Sequence, residues 1–187
     1  MTMSRLEARA ATERRVRAAA AELFLERGTA TAVRDIAQRA GVSVGSVMAV
    51  GDKNALLVRV VDDLIGAAHG DPGRSNECLG DPVEAAVALV RPFLRVFFAN
   101  EELARAYAAI LVSGSHSSDL FDALRLRLLE EFTSRLGLGH ATAAALYFAY
   151  VGVLFASGTH RELDAQRIER ELRDVFSAII GQGEGTA

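Results

Sequence analysis

"TAVRDIAQRAGVSVGSV", Thr31 to Val47, decides the fold of this chain. At its centre Ala40-Gly41-Val42-Ser43 separates two short segments of helical periodicity. A tight turn between two helices at a wide angle needs a small residue before it. It then needs a glycine, which alone enters the left-handed region freely, and an apolar residue after it to plug the corner. Ala40, Gly41 and Val42 meet those needs in order. Ala37 is small where the two helices must cross closely, and Ile36, Val42 and Val47 are apolar where the unit must face its own core. Thr31 is placed to N-cap a helix from about Ala32 to Ala40, with Asp35 near its positive end. Ser43 is placed to N-cap another from Val44. An ordinary helical hairpin in a core is the competing reading of the stretch.

Working outward, the upstream segment from about Thr12 to Arg27 carries Val16, Ala19, Ala20, Leu23 and Phe24 at i, i+3, i+4, i+7 and i+8, one apolar face of a helix. Gly28 suits its C-terminal end. Downstream, Gly51-Asp52 breaks the chain and a fourth helix is expected from about Lys53 to Ala68. Charge supports a separate head. Residues 1–61 hold ten basic against six acidic groups, which leaves eleven basic and eighteen acidic of the chain's 21 and 24. The formal net charge of −3 thus conceals a basic first third on an acidic remainder, a distribution that fits a small nucleic-acid-binding head.

The run "ELFLERGTATAVRDIAQRAGVSVGSV" followed by "DKNALL" resembles the TetR family of bacterial transcriptional repressors. The features that carry the resemblance are a Phe-x-x-x-Gly helix end, a Thr start, Ile-Ala-x-x-Ala-Gly-Val-Ser-x-Gly and then a Lys opening the next helix. They cover about the first 65 residues. The resemblance implies a homodimer. Each N-terminal three-helix head docks one half of a pseudo-palindromic operator in double-stranded DNA. A C-terminal helical domain binds a small-molecule effector and releases the DNA, and the last two long helices pair across the dimer. The implied domains are 1–53 for the head, 53–69 for a connecting helix and 70–187 for the ligand-binding and dimerisation part.

One stretch departs from the family. Its reading helix is followed by a Tyr-x-His-Phe-like run, the Tyr contacting phosphate and the Phe plugging the head's core. Here Met48 stands at the Tyr position, Val50 near the His, and "MAVGDK" is one residue shorter. What remains for DNA is Lys53, the chain's only lysine, at the family's phosphate-holding position, together with Thr31, Arg34, Ser43, Ser46 and the close-approach residue Gly45. Val44, Met48 and Ala49 are suited to thymine methyls. Arg5, Arg9, Arg14 and Arg15 read either as a backbone-tracking arm or as a solvated helix face. Two readings of the head follow. One is an operator read through shape, methyl contacts and Arg; the other is a helical small-molecule-binding dimer whose head has weak or lost sequence-specific DNA binding.

"GDPGRSNECLGDP", Gly70 to Pro82, is the strongest break and reads as a linker or loop. Beyond it helices are expected near 82–99, 101–113, 118–136, 141–157 and 165–180. The expected architecture is all-α, about nine helices with no strand periodicity. Helix 82–99 has Pro92 inside it, a source of a kink. A mostly apolar, aromatic pocket is expected from Phe93, Phe97, Tyr107, Leu111, Phe121, Leu124, Leu128, Tyr147, Tyr150 and Val151, with plain core packing the competing reading for each. Helix 141–157 is apolar nearly all round, and a partner subunit is its expected cover. Ala145, Ala149, Gly152 and Ala156, with Leu172, Val175, Phe176 and Ile179 of the last helix, are the expected dimer interface.

Other classes find little support. Half of the 187 residues are hydrophobic, against long disorder. The N-terminus has no apolar stretch, so no secretory signal is read; no apolar run reaches the roughly 18 residues of a membrane span, so none is expected, and the expected location is the cytoplasm. Cys78 is the one cysteine, which excludes an intrachain disulfide and a Cys-based metal cluster. His69, His116, His140 and His160 are scattered, no HExxH occurs, and Ser115-His116-Ser117 reads as a turn. No catalysis, metal or cofactor is expected.

Overall fold

The computed structural model of the chain describes residues 5–69, 80–157 and 164–183. The described residues form helices without strands: α1 Arg5–Arg27, α2 Val33–Ala40, α3 Val44–Val50, α4 Lys53–His69, α5 Pro82–Ala99, α6 Glu101–Val112, α7 Asp119–Leu136, α8 His140–Ser157 and α9 Ala165–Gly183, with a 3-10 turn at Gly28–Ala30. The all-α architecture is the one expected. Most of the Gly70–Pro82 break, with Cys78, lies outside the described residues, as do the Gly158-Thr159 junction and His160.

Two compact units divide the chain: Met1–Leu64 with Asn100–Ser118, and Ile65–Ala99 with Asp119–Ala187. The first unit therefore holds α6 as well as the N-terminal head. In it α1 packs on α2 and α3, and the 3-10 turn packs on α1 and α6. Val16, Ala19, Ala20, Leu23 and Phe24 are all buried, the face that the periodicity marks out. Ile36 and Val47 are fully buried opposite them, and Ala37 and Ala40 keep the α2 crossing close. Each large side chain so buried contributes roughly 1.5–3 kcal/mol.

The turn between α2 and α3 has the geometry that its sequence dictates. Gly41 sits at φ 64° and ψ 41°, left-handed, and its N–H donates to the carbonyls of Ala37 and Gln38. The N–H of Val42 donates to Ala37 O at 3.0 Å, which completes the helix stop. One expectation fails here: the N-cap of α2 is Ala32, not Thr31. The Asp35 carboxylate takes over part of the capping by accepting the Ala32 N–H at 3.3 Å. α4 is capped instead by Asp52, whose Oδ1 accepts the Ala55 N–H at 2.8 Å.

The second unit is built from α5, α7, α8 and α9, with α9 packed on α5 and α8, and α7 on α5 and α8. Val87, Val90, Phe93 and Leu94 of α5 meet a core to which α7 supplies Leu124, Leu128 and Phe132 and α9 supplies Ile168, Leu172, Phe176 and Ile180. Phe132 and Phe176 stack edge to face at 6.4 Å. Two ion pairs fasten α5 to α9: Arg173 with Glu84 and Arg91 with Glu169 at 3.3 Å. α8 is 18 residues with a mean hydropathy of 1.4, long and apolar enough to cross a membrane by length and composition. It holds no Asp, Glu, Lys or Arg. A core helix passes the same test, and one such helix does not by itself indicate a membrane span.

Gly41 is the position where backbone conformation alone sets a cost. A Cβ there meets nothing within 4 Å, so Gly41→Ala introduces left-handed strain without a clash. A loss of about 1–2 kcal/mol in unfolding free energy is expected, read by urea denaturation with an unchanged m-value.

Candidate nucleic-acid interface

α3 presents one face outward and buries the other. Val47 is fully buried against the head's core, while Val44 and Met48 are 49% and 51% exposed. Gly45 and Ala49 are exposed beside them. At positions i, i+1, i+4 and i+5 these four residues form one contiguous face, three apolar side chains around a bare glycine.

The hydroxyls beside that face are already engaged. Ser43 Oγ accepts the Ser46 N–H at 3.1 Å, the N-cap expected of it, and lies 2.9 Å from Ser46 Oγ. Thr31 is fully buried and its hydroxyl donates to Leu23 O at 2.9 Å, so it ties the turn back to α1 and presents no surface. Lys53 is half-buried and its ammonium donates to Thr29 O at 2.5 Å. The geometry therefore brings Ser43, Val44, Gly45, Ser46, Met48 and Ala49 to one surface, keeps Thr31 inside, and gives Lys53 a structural partner.

The head's arginines sort the same way. Arg39 pairs with Glu22 at 2.8 Å and Glu26 at 3.1 Å, and these two carboxylates raise its pKa. Arg17 donates to both oxygens of Asp63, and Arg59 lies 3.8 Å from Glu13. These pairs knit α1 to α2 and α4. Arg34, on α2, is 84% exposed and only 3.8 Å from its neighbour Asp35. Arg14 and Arg15 are exposed on α1.

Sequence reasoning missed a polar joint between the head and α6. Glu102 accepts both the Thr29 N–H, at 2.8 Å, and the Thr29 hydroxyl. The Thr29 hydroxyl, the Thr29 N–H and the charge of Lys53 together hold the Glu102 carboxyl below its ordinary pKa. Deeper in the same unit Asp62 Oδ1 accepts from Tyr107 at 2.7 Å and from Ser118 at 2.8 Å. Burial, first of all, pushes the Tyr107 hydroxyl pKa up. These partners are 45 to 73 positions apart, and no local pattern announces them.

The residues expected to line a pocket fall in two units. Tyr107 and Leu111 belong with the head, and the Tyr107 hydroxyl is bound to Asp62. Within the second unit Phe93 and Tyr150 are in ring contact at 6.0 Å. Tyr147 is buried there with Leu124 and Leu128, and Phe97, Phe121 and Val151 are half-buried. An open groove of about 550 Å³ runs elsewhere, along α7, between Leu126, Arg127, Glu130, Glu131 and Arg135.

Of the residues expected at a dimer interface, Leu172 and Phe176 are fully enclosed in the unit's own core. Val175, Ile179 and Ala149 are half-buried, and Ala145, Gly152 and Ala156 are exposed. Ala145 and Gly152 lie on a stripe that also carries Ala141, Phe148 and Phe155, the two phenylalanines 64% and 39% exposed. The alternating four- and three-residue spacing of 141, 145, 148, 152 and 155 is the signal that finds it. Among the described residues no cluster of His, Cys, Asp and Glu is arranged to hold a metal ion.

Residues 16–50 match the family model of bacterial regulatory proteins, tetR family. No curated protein matches the chain. Among solved structures, a protein from Mesorhizobium loti MAFF303099 assigned to the TetR family of transcriptional regulators is similar at a TM-score of 0.57 and 19% sequence identity. The match covers 93% of this chain and 97% of that one, and at this identity it is a likeness of fold.

The depressed Glu102 pKa carries a sign. A carboxyl lowered in the folded state stabilises above its unfolded pKa, and that stabilisation fades as pH falls through the folded value. Glu102→Gln is expected to lower the melting temperature at neutral pH, with the difference from wild type closing as pH drops below the ordinary carboxylate range, followed by circular dichroism.

Proposed function

We propose that the chain is a transcriptional regulator of the tetR type, since residues 16–50 match that family's model, and that it binds double-stranded operator DNA as a homodimer and acts as a repressor. A small apolar or aromatic effector entering the second unit releases it from the operator. The observation that carries the reading is the head itself: a left-handed Gly41 turn that sets α3 outward on a firmly buried α1–α2 base. Within it the candidate DNA contacts are Arg34, Ser43, Val44, Gly45, Ser46, Met48 and Ala49. Lys53 retains N–H groups for a phosphate beyond the one it gives to Thr29, whereas Thr31 supports the turn from inside. Phe93, Phe97, Phe121, Tyr147, Tyr150 and Val151 are the candidates for the effector's surroundings.

The homodimer is supported by α8. Its outward stripe is apolar along the whole helix, and a soluble chain does not leave such a face to water. A second copy fits it better than lipid does, since α7 and α9, which pack on α8, are rich in Arg, Glu and Asp. Small residues at 141, 145 and 152 let a partner helix approach closely, and Phe148 and Phe155 supply the area. Phe148→Lys with Phe155→Lys is expected to convert the dimer into a folded monomer in analytical ultracentrifugation; an unchanged dimer rejects this stripe as the interface.

The bare α3 face favours a second reading, a small-molecule-binding dimer with a weakened head. Binding to genomic fragments at a series of salt concentrations separates the two. A regulator that neutralises several phosphates gives a complex whose affinity falls steeply with salt. The absence of any complex at low salt leaves the second reading.

A further inference from the structure

The outward face of α3 has a chemical identity that narrows the DNA it takes. It consists of the side chains of Val44, Met48 and Ala49 and the bare backbone of Gly45, all exposed and apolar. The adjacent hydroxyls of Ser43 and Ser46 are bonded to each other, and Ser43 also caps the helix. No guanidinium, ammonium, amide or ring nitrogen stands on α3. In the major groove every base edge carries hydrogen-bonding groups, and thymine alone adds an apolar substituent, its C5-methyl. An apolar helix face pressed against guanine or cytosine edges strips their water and returns no hydrogen bond, which is costly. Against a thymine methyl the same face loses nothing and gains burial.

Resting on the DNA-binding reading above, we infer that α3 reads its operator half-site through pyrimidine C5-methyl groups. Val44 and Met48 are the specificity-determining residues, and the half-site is thymine-rich where α3 lies. Gly45 and Ala49 leave room between them for the helix to approach closely. Arg34, exposed at the start of α2, adds charge to the contact without setting the sequence under α3.

The test uses the full-length protein. A duplex is selected from a random library. Its affinity is then measured with deoxyuridine replacing thymidine one position at a time, a change that removes only the methyl. The expected result is a selected half-site with adjacent thymines, each losing about fourfold in affinity as deoxyuridine, the worth of one buried methyl. In Val44→Ala the penalty disappears at one of those positions, and in Met48→Ala at another. A cytosine placed there weakens binding, and 5-methylcytosine recovers part of the loss.

Three outcomes overturn the inference. Deoxyuridine can be neutral at every position while a selected sequence still binds. Its penalty can persist unchanged in both variants. Specificity can rest on a guanine whose contribution is lost in Arg34→Ala. In each of these DNA binding itself survives. Failure to bind any duplex at low salt overturns the DNA-binding reading as well, so the two failures are told apart.

Discussion

At Gly41 the backbone turns left-handed, and two N–H groups, its own and that of Val42, close on the last carbonyls of α2. That capped turn fixes the direction in which α3 leaves. With Ile36 and Val47 fully buried on the two sides of the turn, the rotation of α3 about its own axis is fixed too. One residue of the helix goes into the core, and Val44, Gly45, Met48 and Ala49 are left facing out. The chemistry offered to a partner is thus a consequence of packing: the same helix rotated by one position would hide Met48 and expose Val47.

A head this small has few polar groups, and the fold consumes many of them. Thr31 holds the 3-10 turn to α1, Ser43 starts α3, Lys53 reaches the Thr29 carbonyl, and Arg39 and Arg17 bind α2 and α4 to α1. Exposed ion pairs of this kind contribute little stability individually, on the order of 0–1 kcal/mol. Their larger effect is to commit those cations to carboxylates within the head. Arg14, Arg15 and Arg34 stay exposed.

The second unit has the opposite imbalance. α8 is apolar on every side, so packing against α7 and α9 hides one part of it and leaves a stripe of Ala, Gly and Phe. α9 is amphipathic: it turns Leu172 and Phe176 into its own core and shows Glu171 and Asp174 to solvent. The pair therefore offers an apolar strip on α8 and a charged, solvent-facing side on α9.

The helices and the turn were legible in the sequence, because both depend on interactions within a few positions. The 3.6-residue period of Val16, Ala19, Ala20, Leu23 and Phe24 marks one buried face, and Gly41 is the residue a left-handed stop demands. The basic bias of the head and the unmatched apolarity of α8 were legible for the same reason, as properties of composition. The destinations of polar side chains were decided by the tertiary structure. A hydroxyl such as that of Thr31 satisfies its hydrogen bond with whatever lies nearest in space, here the end of the preceding helix and not its own N-cap. The Glu102–Thr29 and Tyr107–Asp62 contacts join residues 73 and 45 positions apart, and Leu172 and Phe176 could be assigned to the core instead of the surface only once α5, α7 and α8 were seen packed around them. Local periodicity sets which face of a helix is apolar; what meets that face is set by chain segments distant in sequence, whose approach no short pattern encodes.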